Sequence, residues 1–451
     1  MKYNAISGFP ELMPEEQVIF DNMLDIIENI YKLFGFIHIE TPAVERKSLL
    51  LAKSGEEKEI YTLGRHHTQE EMPDKDGLAL HFDLTVPLAR YATSHMENLS
   101  FPFRRYQIQK VWRGERAQSG RYREFYQCDA DILGKNDLNL TANVEILTAV
   151  ATILEKLEVG NFIIKINHRL ILAEIVKYFG VNENNIPAVF RIIDKIDKIG
   201  IDKTKEYLCE IDKQNNIRAE ELIRFITYES SVDETIKHIE KMSVDNEKVT
   251  IGLNEIKYTV KNLKLSGVSE KNFKIDLKIV RGLDYYTGMV FETNLIDHTE
   301  LGSICSGGRY DNLTESLGKK KLPGVGMSIG LSRLFLPLLK KNIWHKDKII
   351  IGSDILVIPL TKEADSISFE TAKLIRNRGK KTEIYAGDRS IKKSLKYANK
   401  QKINTVIIIG EDEMNNGTIK VKDMETGKET NIKLSDLKDK NLELTTIIVN
   451  E

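Results

Sequence analysis

The chain has 451 residues, 41% hydrophobic and 29% charged, with 66 basic against 67 acidic side chains. This length exceeds one ordinary core and implies two or three domains, and the composition excludes a disordered or fibrous chain in favour of a soluble globular one. A net charge of −1 means that any nucleic-acid partner has to be held by local basic patches, not by bulk charge. Cys128, Cys209 and Cys305 lie far apart, with neither zinc spacing nor a disulfide framework, which fits a reducing cytoplasm. No apolar run follows a basic start, and none approaches the ~18 residues of a membrane helix. Neither an export signal nor a membrane span is expected.

Residues 15–34 read as a helix, apolar at Val18, Phe20, Met23, Ile26, Ile27, Ile30 and Leu33 and ended by Gly35. Residues 36–40 read as a short strand stopped by Thr41-Pro42. Residues 53–77 are polar and turn-rich, as in a mobile loop. The run from His81 to Tyr91 follows, and a strand reading puts His81, Asp83 and Thr85 on one face.

Residues 107–115 read as a strand, 116–123 as an exposed turn with a Ser-Gly pair and three arginines, and 125–133 as a second strand, giving an antiparallel hairpin. Alternation puts Phe125, Gln127, Asp129 and Asp131 on one face and Tyr126, Cys128, Ala130 and Ile132 on the other. Val111, Arg113 and Glu115 share a face of the first strand. A solvated surface hairpin alternates in the same way. The arginines beside an acidic face with an aromatic ring suit instead an anionic ligand that also carries a cationic group. A phosphate wants the guanidinium fork, and an ammonium or imidazole wants Asp129 or Asp131.

Residues 138–156 read as a long helix and 161–167 as a strand, with Asn167-His168-Arg169 capping the next helix. From 170 to 260 only amphipathic helices are visible, and His238 reads as a surface histidine. Chemistry returns at Arg281-Gly-Leu-Asp-Tyr-Tyr-Thr-Gly288, where adjacent tyrosines on a strand would face opposite ways. In Ser306-Gly-Gly-Arg-Tyr-Asp311 the paired glycines suit either close backbone approach to a ligand or a plain turn. Residues 324–334 read as a glycine-rich strand entering a helix with Arg333 in its first turns; the glycine spacing matches neither a Rossmann motif nor a P-loop. After a polar linker, strands at 354–359, 381–385 and 405–409 alternate with helices at 363–378 and 391–401, as in a small α/β domain. Eleven Lys or Arg between Lys373 and Lys402 form either a solvated helix face or a nucleic-acid footprint.

Arg113-Gly-Glu-Arg116 followed by Gly120-Arg-Tyr-Arg-Glu-Phe-Tyr-Gln-Cys-Asp129 resembles motif 2 of class II aminoacyl-tRNA synthetases, in the form found in histidyl-tRNA synthetases. The helix, strand and proline near the N-terminus resemble motif 1, and the strand and helix around Arg333 resemble motif 3. The Arg281–Gly288 string is the most discriminating element. Ala117 stands where the family commonly has proline, and His81 where it usually has arginine.

The resemblance implies an α+β fold: a class II antiparallel sheet of six strands flanked by helices, a helical insertion, and a C-terminal α/β anticodon-binding domain. It divides the chain into a catalytic core at 1–340, interrupted at about 170–260, a linker at 341–353, and the anticodon-binding domain at 354–451. It implies a homodimer that activates histidine with ATP, Mg2+ arriving with the ATP and not in a protein-only site, and then charges histidine tRNA. Arg113 and Arg281 are implied as catalytic at the α-phosphate. Asp83, Thr85 and Gln127 are implied for the amino group of histidine; Asp131, Arg281, Tyr285 and Tyr286 complete the histidine site. Arg113, Glu115, Arg121, Phe125 and Arg333 are implied for ATP, with Phe125 and Arg333 sandwiching adenine. Arg123, Arg389, Lys392, Lys393 and Lys396 are the tRNA candidates. The rival is a non-catalytic paralogue such as the regulatory subunit of ATP phosphoribosyltransferase, which typically lacks the anticodon domain and several of these arginines.

Overall fold

The first helix, α1 (Pro14–Leu33), starts on a proline whose fixed φ suits the first helical position, with Glu15 and Glu16 in its first turn and Lys32 in its last. It stops where Gly35 takes φ 74°. The structure, a computed structural model, describes residues 4–51, 60–64, 77–118, 120–211, 217–243, 246–280, 286–312, 321–344 and 352–438. It divides into two compact units, Met1–Glu11 with Asn22–Lys341, and Leu12–Asp21 with Asn342–Glu451. Among the described residues no helix is long and apolar enough to cross a membrane.

After α1 come β1 (Ile37–His38), β2 (Val44–Arg46), α2 (Lys47–Leu51), β3 (Thr62–Leu63) and β4 (Leu78–Leu80), then α3 (Thr85–Ser94). Strands β2, β4 and β3 form a small antiparallel sheet. Most of the stretch expected as a mobile loop, 53–77, lies outside the described residues, and the part that is described contains β3. The strand expected through Asp83 and Thr85 is instead a bend entering α3. The Asp83 carboxylate accepts a hydrogen bond from the Val86 N–H at 3.3 Å, and Pro87 follows in the first turn, where a missing N–H costs nothing.

The hairpin is built from β5 (Phe103–Trp112) and β6 (Glu124–Leu133). It begins four residues earlier than the sequence suggests, because Phe103 and Arg105 pair with Leu133 and Asp131. Next come α4 (Thr141–Leu157) and β7 (Phe162–His168). A block of helices then leads to β8 (Phe273–Ile275): α5 (Arg169–Tyr178), α6 (Ile186–Ile193), α7 (Ile196–Ile199), α8 (Ile201–Ile211), α9 (Ala219–Ile226), α10 (Val232–Ser243) and α11 (Glu247–Leu265). His238 in this block is not a plain surface histidine. Its ring is half-buried, stacked on Phe225 and Tyr228 with centroids 4.0 and 4.1 Å away, and burial lowers its pKa.

The unit closes with β9 (Met289–Leu295), β10 (Ser303–Tyr310), β11 (Gly324–Gly330) and α12 (Leu331–Lys340). The large sheet runs β1-β5-β6-β11-β10-β9-β7-β8. Its six middle strands are mutually antiparallel. Short β1 and β8 add in parallel at the edges, so the expected six-stranded sheet is the centre of an eight-stranded one. Tyr106, Cys128, Ala130, Ile132, Met327 and Ile329 are buried on one face, where α4 packs on β6, β10 and β11. On the other face α3 covers one end, as Leu88 and Ala92 pack with Phe103, Leu133 and Tyr310.

The second unit contains β12 (Ile355–Pro359), α13 (Asp365–Arg376), β13 (Thr382–Ile384), α14 (Ile391–Gln401), β14 (Thr405–Ile409), α15 (Glu411–Asn416), β15 (Thr418–Asp423) and β16 (Glu429–Lys433). The sheet order is β13-β12-β14-β15-β16. The first three strands are parallel and the last two add antiparallel. The apolar strands β12 and β14 are buried throughout.

Candidate active site

The polar face of the first sheet is a buried pocket floor. In register, Arg105, Gln107 and Gln109 of β5 oppose Asp131, Asp129 and Gln127 of β6, which oppose Gly326, Ser328 and Gly330 of β11. Arg105 is 0% exposed, Asp129 2% and Asp131 3%, so their charges must be met inside the protein. Asp131 is met on both oxygens: Arg105 lies 2.6 Å from Oδ2, and the Tyr310 hydroxyl donates to Oδ1 at 2.7 Å. Gly326 is required there, since a Cβ would fall 1.9 Å from Asp131 Oδ1. Gln127 donates to Ser328 Oγ at 2.7 Å, and Gln107 to Thr41 Oγ1 at 3.0 Å.

Three carboxyl groups share this pocket, and burial raises all three pKa values. Asp129 is pushed up to about 7 and Asp83 up to about 6. Asp131 is also raised by burial, against the pull of Arg105 and Tyr310. Arg105 likewise holds Asp129 and Asp83 down from higher values, and Arg113 acts on Asp83. Asp83 Oδ2, Asp129 Oδ1, Gln107 Oε1 and Gln127 Oε1 are buried acceptors without a hydrogen-bond partner among the described residues. Such acceptors suit a ligand that donates several hydrogen bonds and carries positive charge.

Cations gather at the rim. Arg113, just past β5, donates through Nε to the Phe82 carbonyl at 3.1 Å, and its guanidinium lies 5.1 Å from the centre of the Phe125 ring. The loop to β6 is closed by mutual Gln118–Arg121 backbone bonds. Arg333, in the first turn of α12, donates to the Gly120 carbonyl and to the Ser303 carbonyl, both at 3.0 Å. It thereby ties this loop to the start of β10. The Ser332 hydroxyl caps the Tyr126 N–H at 3.0 Å. A carboxylate floor, arginines at the mouth and the half-buried Phe125 ring can hold an amino acid beneath a nucleotide.

A family model described as histidyl-tRNA synthetase matches residues 8–334, and one described as an anticodon binding domain matches 354–444. The chain belongs to the histidyl-tRNA synthetase family. A histidine–tRNA ligase of Clostridium tetani is 42% identical, covering 97% of each chain. One of Finegoldia magna is 40% identical over 97% of this chain and 99% of its own. The crystal structure of histidyl-tRNA synthetase from Nostoc sp. PCC 7120 superposes with a TM-score of 0.83 at 35% identity, covering 97% of this chain and 99% of that one.

Of the residues that the histidyl-tRNA synthetase resemblance singles out, Asp83, Gln127 and Asp131 are buried in the pocket, and Thr85 opens α3 beside them. Tyr286 is half-buried and packs near Tyr310, ring centres 6.5 Å apart. Arg281 and Tyr285 lie outside the described residues. Phe125 carries Arg113 on its face, while Arg333 is engaged with loop carbonyls. Arg121 pairs with Glu115 at 3.3 Å. Arg123 is less free than a tRNA ligand read from sequence: it donates to the Glu115 carbonyl at 3.2 Å and packs on Gly8, whose Cβ would meet its Cγ at 2.9 Å. His81, standing where that family usually has arginine, is buried, bonded to the Lys110 carbonyl at 2.8 Å and tilted on Trp112.

Arg105, Gln107 and Tyr310 were not legible as site residues. The alternation of Arg105, Gln107 and Gln109 against Tyr106 and Ile108 is a usable signal, lost by starting the strand at 107. Gly307 and Gly308 form no turn. They sit inside β10, where a Cβ would meet the Gly326 carbonyl at 2.1 Å and the Met289 carbonyl at 2.7 Å. In the second unit, Arg389 makes a two-pronged pair with Asp365, both contacts 2.8 Å, and Lys393 pairs with Asp388. Lys392 and Lys396 are exposed on α14.

Proposed function

We propose that this pocket carries out the reaction of the family: the chain is an aminoacyl-tRNA ligase for histidine. The histidine carboxylate attacks the α-phosphate of ATP, the bond to the β-phosphate oxygen breaks, and pyrophosphate leaves. The 3′-terminal ribose hydroxyl of tRNA then attacks the adenylate carbonyl and AMP leaves. The observation that carries this reading is the set of buried acceptors on Asp83, Asp129, Gln107 and Gln127 that have no partner among the described residues.

An α-ammonium group offers three donors and one positive charge, which Asp83 and Gln127 receive with Thr85. Asp131, fixed by Arg105 and Tyr310, orients the imidazole side of the pocket with Tyr285 and Tyr286. Arg113 and Arg281 bind the charge that develops on the α-phosphate, a preorganised electrostatic role. Phe125 offers its ring to adenine, with Arg333 holding the loop against it, and Arg121 and Glu115 lie toward the triphosphate. Among the described residues no three His, Cys, Asp or Glu side chains converge as metal ligands. Mg2+ would arrive on the phosphate oxygens of ATP, where it would neutralise their charge.

Residues 1–340 form the catalytic core with the insertion, 341–353 a linker, and 354–451 the anticodon-binding domain, which takes histidine tRNA with help from Lys392, Lys393 and Lys396. The protein works in the cytoplasm as a homodimer; a partner on α1 and β1 covers Leu33 and Ile37, which stand 83% and 63% exposed. The test is ATP–pyrophosphate exchange with each amino acid in turn. Exchange is expected with histidine alone, and its absence under saturating ATP and magnesium overturns the reading.

A further inference from the structure

The Asn167-His168-Arg169 stretch does more than begin a helix. Asn167 is 0% exposed, and its Nδ2 donates to two carbonyls, Leu277 at 3.1 Å and Ile279 at 2.8 Å. Its Oδ1 accepts from the His168 N–H at 2.7 Å, which fixes the amide's orientation. Arg169 donates through Nη1 to the Val280 carbonyl at 3.0 Å, and its backbone N–H donates to the Gly288 carbonyl at 2.9 Å. One residue therefore holds the chain on both sides of residues 281–287.

The run 276–280 belongs to no strand or helix and is mostly buried, so its carbonyls need donors from elsewhere. Asn167 and Arg169 supply three. Further along, the Thr287 N–H donates to the Arg309 carbonyl at 2.9 Å and its hydroxyl to Asp311 at 2.5 Å. These contacts set Tyr286 against Gly308, whose Cβ would lie 3.0 Å from the Tyr286 ring. The Arg169 guanidinium also stacks on Phe190 of α6, 5.0 Å from its ring centre. Lys278 in the held run reaches Asp197 of α7 at 3.2 Å and Glu229, between α9 and α10, at 3.3 Å. The same short run is thus tied to the sheet by Asn167 and to three places in the helical insertion.

We propose that Asn167 and Arg169 are positioning residues for the amino-acid site, and that the helical insertion sets the geometry of that site through Phe190 and Lys278. This rests on the reading that Tyr286 lines the histidine pocket. Arg169 touches no substrate; its influence passes through the backbone flanking residues 281–287 and through Tyr286. A change in the insertion at Phe190 therefore alters histidine use while leaving ATP use nearly intact.

The experiment measures pyrophosphate exchange and thermal unfolding on the full chain for Arg169→Ala, Arg169→Lys, Phe190→Leu and Tyr286→Phe. Arg169→Ala is expected to raise the histidine KM about tenfold or more, with the ATP KM changed less than about twofold. Arg169→Lys, which keeps the charge and one donor, is expected to recover part of that loss. Phe190→Leu is expected to show the same histidine-selective signature at smaller size. Equal rises in both KM values, or a histidine KM unchanged in Arg169→Ala and Phe190→Leu, overturn the proposal. If Arg169→Ala does not fold, Arg169→Lys and Phe190→Leu decide by the same criterion. Tyr286→Phe separates the two layers. A histidine KM that rises there while the Arg169 and Phe190 variants stay normal refutes the clamp alone. One unmoved by Tyr286→Phe refutes the placement of Tyr286 in the site.

Discussion

Replacing Asp129 by asparagine should stabilise the ligand-free protein at neutral pH while weakening its grip on histidine. Burial holds the Asp129 carboxyl up to about 7, from an ordinary 3.8. The unfolded chain releases that proton near pH 4 and the folded protein keeps it until about pH 7. Across that window the folded state binds more protons, so stability falls as pH rises and the loss is complete above the folded pKa. Each tenfold change in proton affinity is worth about 1.4 kcal/mol, so the ionised carboxylate costs on the order of 4 kcal/mol at pH 8. Asp83 and Asp131, in the same pocket, are raised in the same direction, so the three titrate as a set. Asparagine keeps the shape and cannot ionise. Denaturant unfolding at about pH 4.5, 6 and 8 should give a difference between variant and wild type near zero at the acid end, growing with pH. In pyrophosphate exchange the variant should show a raised histidine KM with the ATP KM little changed. A difference independent of pH, or a variant less stable at pH 8, refutes the account of the pocket as a stored excess of negative charge awaiting a cationic ligand.

Arg113→Ala should lower the single-turnover adenylation rate roughly 10²–10³-fold, the usual loss for one preorganised donor at a developing charge. Lysine should rescue it poorly, since a single ammonium cannot both hold the Phe82 carbonyl and present a fork; an unchanged rate in the alanine variant removes Arg113 from the chemistry. On α14, the double variant Lys392→Ala, Lys396→Ala should lower tRNA charging and leave histidine-dependent exchange intact. Its logarithmic salt slope for tRNA binding should be shallower by about 1–2, the counterion release of two phosphate contacts, and charging equal to wild type at all salt concentrations clears this helix of the role.

The parity of β6 was readable because alternation is a local property. Gln127, Asp129 and Asp131 do share a face, and so do their partners Gly330, Ser328 and Gly326. Whether that face is solvated or buried was not readable, because what buries it is remote in sequence: α3 from one side and β10–β11 from the other. The same remoteness hid Tyr310, which reaches Asp131 from 179 residues away. Thr85 shows the opposite failure, a parity argument applied where the Asp83 side chain had already committed the backbone to a helix start. In the second unit the parallel strands stand out as apolar runs because both their faces are buried. β15 and β16 were missed although Ile419 and Val421 alternate with polar neighbours, since the intervening Lys420 and Lys422 resemble loop composition.

Asp83 comes from the turn before α3, Arg105 from β5, Asp129 and Asp131 from β6, and Tyr310 from β10, so no single motif contains the charge balance of the pocket. Motif-bearing residues were found one string at a time, each with its own counter-charge unassigned. Arg105 supplies that charge. Among the described residues Arg105 is buried against Asp131 and Arg113 acts on Asp83 from the rim, and burial still raises all three carboxyl pKa values, so Asp83 and Asp129 keep protons at pH values where exposed carboxylates have lost them. A ligand bringing its own ammonium displaces those protons on binding. Every amino acid brings an α-ammonium that can meet this demand, whereas an analogue without one should leave the carboxyl groups with the same unmet desolvation they have in the empty pocket.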